Sequence, residues 1–149
     1  YEWPAGLGET EQGVVTAVLE RGEIMTEILF DLPDSRTGTS YAKLGKRKAL
    51  AIVVLGVGVM LQVDEQERCK RAHVVLGAVS RYPRRLPRVE EALVGQKVTR
   101  DLLYAQLPVL TEIVKELIPG RASMGYKSES VRGMARLAFD SILKELRIA

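Results

Sequence analysis

Few residues in this chain have the type and spacing to do chemistry. His73 is the only histidine and Cys69 the only cysteine among 149 residues. A metal site needs several His, Cys or carboxylate ligands at set spacings. A cysteine nucleophile needs a base beside it. Cys69 lies between Arg68 and Lys70, which would lower its pKa if they faced the thiol. With no second histidine, a packed cysteine and a strand histidine are the plainer readings. Gly56-Val57-Gly58 has two glycines of a dinucleotide fingerprint but not the third, and no helix start follows. Close packing between strands explains it better, and no Walker-type phosphate loop is present. The remaining candidates are cationic. Tyr41, Lys43 and Arg47 stand just before thirteen consecutive apolar residues, Ala49 to Leu61. They suit an anion or cofactor edge beside a sheet, or ordinary surface cations at a strand end. Arg81-Tyr82-Pro83-Arg84-Arg85-Leu86-Pro87-Arg88 holds four arginines and an aromatic ring. It could grip a nucleic-acid backbone, but its prolines make it a rigid connection, so a solvated loop or an inter-subunit contact is the plainer reading.

Composition narrows the field. A chain of 149 residues is most simply one domain, with 46% apolar and 28% charged residues, as in ordinary globular proteins. The net charge of +3 is too mild to argue for nucleic acid alone. The cations do gather locally, at Lys43 to Lys48, Arg68 to Arg71 and Arg81 to Arg88. One cysteine excludes an internal disulfide and fits a reducing, cytoplasmic setting. The apolar run is too short for a membrane span of about 20 residues and has charged flanks.

The elements that must position these residues follow from pattern and punctuation. Residues 1–12, with Pro4 and several glycines and acids, read as a leader or linker, and Gly13 to Glu23 is open between helix and strand. Glu27 to Leu32 reads as a strand closed by Pro33-Asp34-Ser35. Gly38 to Gly45 reads as a second strand, with Thr39, Tyr41 and Lys43 on one face. A helical turn near Lys48–Ala51 should lead into a buried strand ending near Val63, because the valines favour strand and Gly56 and Gly58 disfavour a long helix. Asp64 to Glu67 makes a turn and Ala72 to Val79 the next strand. Arg88 to Val94 reads as a short helix ended by Gly95. Thr99 is a suitable N-cap for a helix to about Ile118, which Pro108 should kink or split. Ser128 or Ser130 should start the last helix, with Val131, Met134, Ala135, Ala138 and Ile142 facing inward. Strands followed by helices predict an α+β fold, with a three- to four-stranded antiparallel sheet and helices packed on one face.

Several of these segments together resemble a known family. Gly22-Glu23-Ile24-Met25-Thr26-Glu27, Tyr41-x-Lys43, Arg47-Lys48 and Ala49-x-Ala51 are similar to the C-terminal domain of the FAD-binding (medium) subunit of molybdenum hydroxylases. Carbon monoxide dehydrogenase and xanthine dehydrogenase belong to that family. Leu76-Gly77-Ala78-Val79 resembles its "lGgv" strand. Pro83-x-Arg85 with Glu90-x-x-Leu93-x-Gly95 resembles a further segment, and Ser123 to Ala135, with Tyr126 in place, its final helix start. The likeness spans about residues 14–147. Lys127 stands where the family usually has Arg, which keeps the charge but loses the planar fork.

The resemblance implies a division at about residue 22. Residues 1–22 would be a leader or linker from a flavin-binding half, and 23–149 the flavoprotein C-terminal-like domain. It implies an oxidoreductase component that covers FAD during electron transfer, with Lys43, Arg47 and Ile52 near the flavin and no catalytic residue of its own. The family's glycine-rich FAD-binding region is not in these residues, so FAD would be shared with that half and not retained by this chain alone. The implied partners are the flavin-binding half, an iron–sulfur subunit and a molybdenum subunit, with a homo-oligomer also possible and no membrane. The alternative is a small basic α+β module that binds nucleic acid or protein and has no redox role.

Overall fold

A computed structural model describes residues 22, 24, 26–27, 32–47 and 51–148. The described strands are β1 (Thr37–Gly45), β2 (Val53–Val63), β3 (Cys69–Gly77) and the two-residue β4 (Arg84–Arg85). They form one antiparallel sheet in the order β1-β2-β3-β4. Four helices follow: α1 (Pro87–Leu93), α2 (Arg100–Tyr104), α3 (Leu107–Leu117) and α4 (Met124–Leu146). The α+β fold with helices on an antiparallel sheet is as expected.

Strand alternation sets the layers. Leu55, Val57, Val59, Leu61 and Val63 of β2 are buried, as are Ala72, Val74 and Leu76 of β3. They meet the apolar stripe of α4, in which Val131, Ala135, Ala138, Phe139, Ile142 and Leu143 are buried. α4 lies on β1 and β2, α1 covers β3, and α2 and α3 pack on α4. The alternate residues, Tyr41 and Lys43 of β1, Gly56 and Gly58 of β2, and His73, Val75 and Gly77 of β3, share the opposite face through the register Tyr41–Gly58–Val75 and Lys43–Gly56–Gly77.

Carboxylates take open backbone donors on both sides of the sheet. On β1, Glu145 of α4 accepts the backbone N–H of Thr39 at 2.8 Å. On β3, next to the two-residue β4, Glu90 of α1 accepts that of Val74 at 2.9 Å. Edge groups left open would template pairing with another chain.

Several boundaries differ from the expectation. β3 begins at Cys69 and stops at Gly77 because Ala78 turns left-handed, with φ 64. The loop between Pro83 and Pro87 contains β4, which pairs with Val75 and Leu76. The helix expected from Thr99 to Ile118 is split, as Pro108 suggested, into α2 and α3. Thr99 caps α2 through its side chain, accepting the Leu102 N–H at 3.2 Å. The last helix starts at Met124 and not at Ser128 or Ser130. Ser128 lies within it, its hydroxyl donating to the Gly125 carbonyl at 3.0 Å, so a serine suited to a cap bonds back inside the helix instead. The strand expected over Glu27–Leu32 and the turn near Lys48–Ala51 lie largely outside the described residues, as does the leader.

Candidate functional site

The segments singled out by sequence converge at one end of the sheet. β1 delivers Lys43 there, β2 starts there, β3 ends there at Gly77-Ala78, and α4 brings its first turn. Lys43 lies opposite Gly56, and Gly56 opposite Gly77. Across the sheet, Lys127 donates from Nζ to the carbonyl oxygen of Ala78. That bond joins the "lGgv"-like strand end to the Tyr126-Lys127 pair. Burial, and next the Arg121 guanidinium, hold the Lys127 ammonium below the usual lysine range.

Glycine makes this end flat. A Cβ on Gly56 would stand 2.7 Å from the Tyr41 hydroxyl, so the phenol lies across the strand where a side chain would otherwise be. A Cβ on Gly58 would meet the same ring at 3.8 Å. The two glycines serve close packing on the sheet face and not a dinucleotide turn. Gly45 closes the β1–β2 connection for a similar reason: a Cβ there would be 2.6 Å from that of Ala51.

The three residues proposed to lie near a cofactor all belong to this hairpin. Lys43 and Arg47 are exposed, and Ile52 is 83% exposed immediately before β2. Tyr41 is 65% and Tyr126 58% exposed. Tyr41 and Lys43 belong to the outer face of the sheet and Tyr126 to the first turn of α4. The chemistry of this end of the sheet suits one wall of a flat, anionic ligand: cations at the rim, and a strip at Gly77 where an added Cβ meets only the Gly56 Cα, at 3.9 Å. Among the described residues there is no glycine-rich loop to cradle a pyrophosphate, so the residues fit a covering wall and not a complete dinucleotide site.

The other candidates resolve into structure. Cys69 is buried, and desolvation pushes its thiol up to about 11. Arg68 and Lys70 do not activate it, because they point to solvent while it faces the core. No group of three or more His, Cys, Asp or Glu side chains among the described residues could hold a metal ion. The basic loop is partly spent on internal contacts. Arg85 pairs with Glu90, Nε to Oε1 at 3.1 Å and Nη2 to Oε2 at 2.6 Å. Arg88 reaches Glu116 at 3.1 Å, and the Arg81 guanidinium stacks 5.1 Å from the Tyr82 ring centre. The Arg85…Glu90…Leu93…Gly95 pattern is thus a staple: an ion pair, a sheet-edge acceptor, a core leucine and a left-handed glycine with φ 80. Sequence reasoning missed the staple role of Glu90. The signal available was a glutamate in the first turn of the expected Arg88–Val94 helix, five residues after an arginine in the loop before it. No helix among the described residues is long and apolar enough to cross a membrane.

Comparison with known proteins identifies the family and the fold. Residues 40–142 match the CO dehydrogenase flavoprotein C-terminal domain family. The nicotinate dehydrogenase FAD-subunit of Eubacterium barkeri is 41% identical over 128 residues, covering 86% of this chain and 43% of that protein. The fold is shared with carbon monoxide dehydrogenase of Hydrogenophaga pseudoflava, at a TM-score of 0.63 and 22% identity over 75% of this chain and 38% of that one. Quinoline 2-oxidoreductase of Pseudomonas putida 86 matches at 0.51 and 19%, over 74% of this chain and 37% of that one. The chain spans under half the length of these relatives. The match covers the hairpin, the sheet and nearly all of α4, and on that ground the chain belongs to the CO dehydrogenase flavoprotein C-terminal domain family.

Proposed function

We propose that this chain is the part of a molybdenum-hydroxylase flavoprotein that closes over one side of FAD and contacts the partner subunits. The observation that carries the reading is the end of the sheet where Lys43, Gly56 and Gly77 stand in register and exposed Ile52 leads into β2, with Lys127 of α4 tied to Ala78 just beyond Gly77. Bound FAD would supply the electron-transfer chemistry. The chain's own residues would cover and orient it. Lys43 and Arg47 would offset its negative charge, and Ile52 would exclude water from the ring. Residues 1–22 would link to a flavin-binding half, and iron–sulfur and molybdenum subunits would complete the assembly.

Three features support a covering role. The one cysteine is buried with its thiol pushed up to about 11 and no metal cluster lies among the described residues, the flat strip offers no phosphate loop, and a relative that is 41% identical is an FAD subunit. The test is a titration of FAD into the isolated chain and into the chain mixed with a separately produced flavin-binding half. The isolated chain should purify colourless and leave flavin fluorescence unchanged, whereas the mixture should retain flavin through gel filtration. Stoichiometric FAD in the isolated chain would show that the binding determinants lie within these residues.

A further inference from the structure

Two basic stretches that are separate in sequence face each other across a single cleft. β3 carries Lys70 and Arg71 to one wall, and β4 carries Arg85 to the other. The cavity is about 430 Å³, lined by these three with His73, Glu90 and Glu91. It lies near the start of β3. His73 is four residues from Gly77, or about 13 Å along a strand, and Arg85 lies opposite Val75, so the cleft sits on the same face of the sheet toward the start of β3, and its lining includes none of the residues used in the flavin reading.

The charges in the cleft do not balance locally. Glu90 is fully used, since one oxygen takes the Val74 N–H and both bind Arg85. Those contacts fix the Arg85 guanidinium through Nε and Nη2 and leave Nη1 for another partner. Among the described residues, neither Lys70 nor Arg71 takes part in a salt bridge. Glu91 is the one carboxylate of the cleft left to oppose them. Arg71 and His73 stand two apart on β3 and so point to the same side of the strand.

We propose that this cleft binds the phosphate group of a small phosphorylated molecule, held between Arg71 and Arg85 with His73 as a third donor. Arginine binds carboxylate and phosphate alike through its planar fork, but a phosphate group carries more charge and three acceptor oxygens, so it can take donors from more than one side chain at once. Two guanidinium groups and an imidazole from two strands supply such a set.

The site carries a proton link. His73 is held below the usual imidazole range, first by burial and next by Arg85, with Arg71 adding to it and Glu90 opposing. A bound phosphate anion would offset the repulsion from both arginines and favour the imidazolium. Once the phosphate's own protonation is allowed for, the imidazolium form of His73 should bind it more tightly than the neutral form, and bound phosphate should raise the His73 pKa. The charged groups around the ring are Lys70 and Arg71 on β3, Arg85 on β4, and Glu90 and Glu91 on α1.

Because His73 is the only histidine, its imidazole C–H proton signals are unambiguous in an NMR titration. Inorganic phosphate is added to the chain at constant ionic strength, with chloride as the comparison. The expected result is a saturable shift confined to phosphate. The His73 pKa should rise by about one unit, corresponding to about tenfold tighter binding by the protonated form. Arg71→Gln, at an exposed position, should keep the thermal midpoint and weaken binding about tenfold. Glu91→Gln should strengthen it about threefold. Chloride moving the signal as far as phosphate, or Arg71→Gln binding phosphate as well as the parent, would overturn the proposal. So would a glutamate-rich peptide that occupies the cleft where phosphate does not, which would assign it to an acidic protein segment.

Discussion

The Tyr41 phenol occupies the space above Gly56: a Cβ placed there would lie 2.7 Å from the Tyr41 oxygen. The two residues are on neighbouring strands, two residues out of register and on the same face, and the ring is 65% exposed. A clash there would be relieved by swinging a ring tip into water. Gly38 contrasts with it. A Cβ at Gly38 would stand 2.9 Å from Leu146 Cγ and 3.0 Å from Ile142 Cγ1, inside the β1–α4 packing. Gly56→Ala should therefore change stability by less than about 1 kcal/mol. Gly38→Ala should cost about 1–3 kcal/mol through overpacking. Urea midpoints of the two variants make the comparison, and Gly56→Ala should also alter the near-ultraviolet tyrosine signal.

The Glu90 carboxylate should matter more than any other surface-near charge. Its side chain is 9% exposed and that of Arg85 31%, so water partly compensates the arginine when the pair is broken. Glu90→Ala would strand the Val74 N–H and one face of the guanidinium, costing about 2–3 kcal/mol. Glu90→Gln keeps an acceptor for Val74 and should cost about 1 kcal/mol. Arg88→Ala, which breaks an exposed pair with Glu116, should be close to neutral. Chemical denaturation of the three variants gives the ranking directly.

His73 makes stability depend on pH in one direction. Its folded pKa lies below the ordinary value of 6.5, chiefly through burial. Well above that value both folded and unfolded chains hold it neutral, and it contributes no pH dependence. As pH falls through the unfolded value the unfolded chain takes up the proton first, so stability declines until the folded pKa is passed. The difference in urea midpoint between the parent and His73→Gln, followed across this acid window, should be flat above neutrality and move against the parent below it. A difference that moves the other way would mean that a carboxylate, and not burial and arginine, governs the ring.

Much of the fold was legible in the sequence because its signals are local. The valine-rich run with Gly56 and Gly58 reads as strand, Thr99 caps α2, and Pro108 splits the following helix. The pieces that were missed depend on contacts between segments. β4 is only Arg84–Arg85 and exists because β3 is beside it. The start of α4 has no side-chain cap to announce it. By contrast, Cys69 reads as packed despite its cationic neighbours Arg68 and Lys70, and its buried side chain agrees. The candidate site was legible as order and spacing along the chain. That Lys43 and Lys127 belong to one end of the molecule follows from the strand register and the bond to Ala78, which no single segment encodes.

The most direct measurement is FAD retention by the complex of this chain with its flavin-binding half, compared between the parent and Arg47→Ala. If the hairpin lies against the flavin, losing a charge-assisted contact of roughly 1.5–3 kcal/mol should weaken retention by about 10- to 150-fold. The melting temperature of the isolated chain should stay nearly unchanged. Unaltered flavin content together with a destabilised chain would contradict that placement and assign Arg47 to the fold.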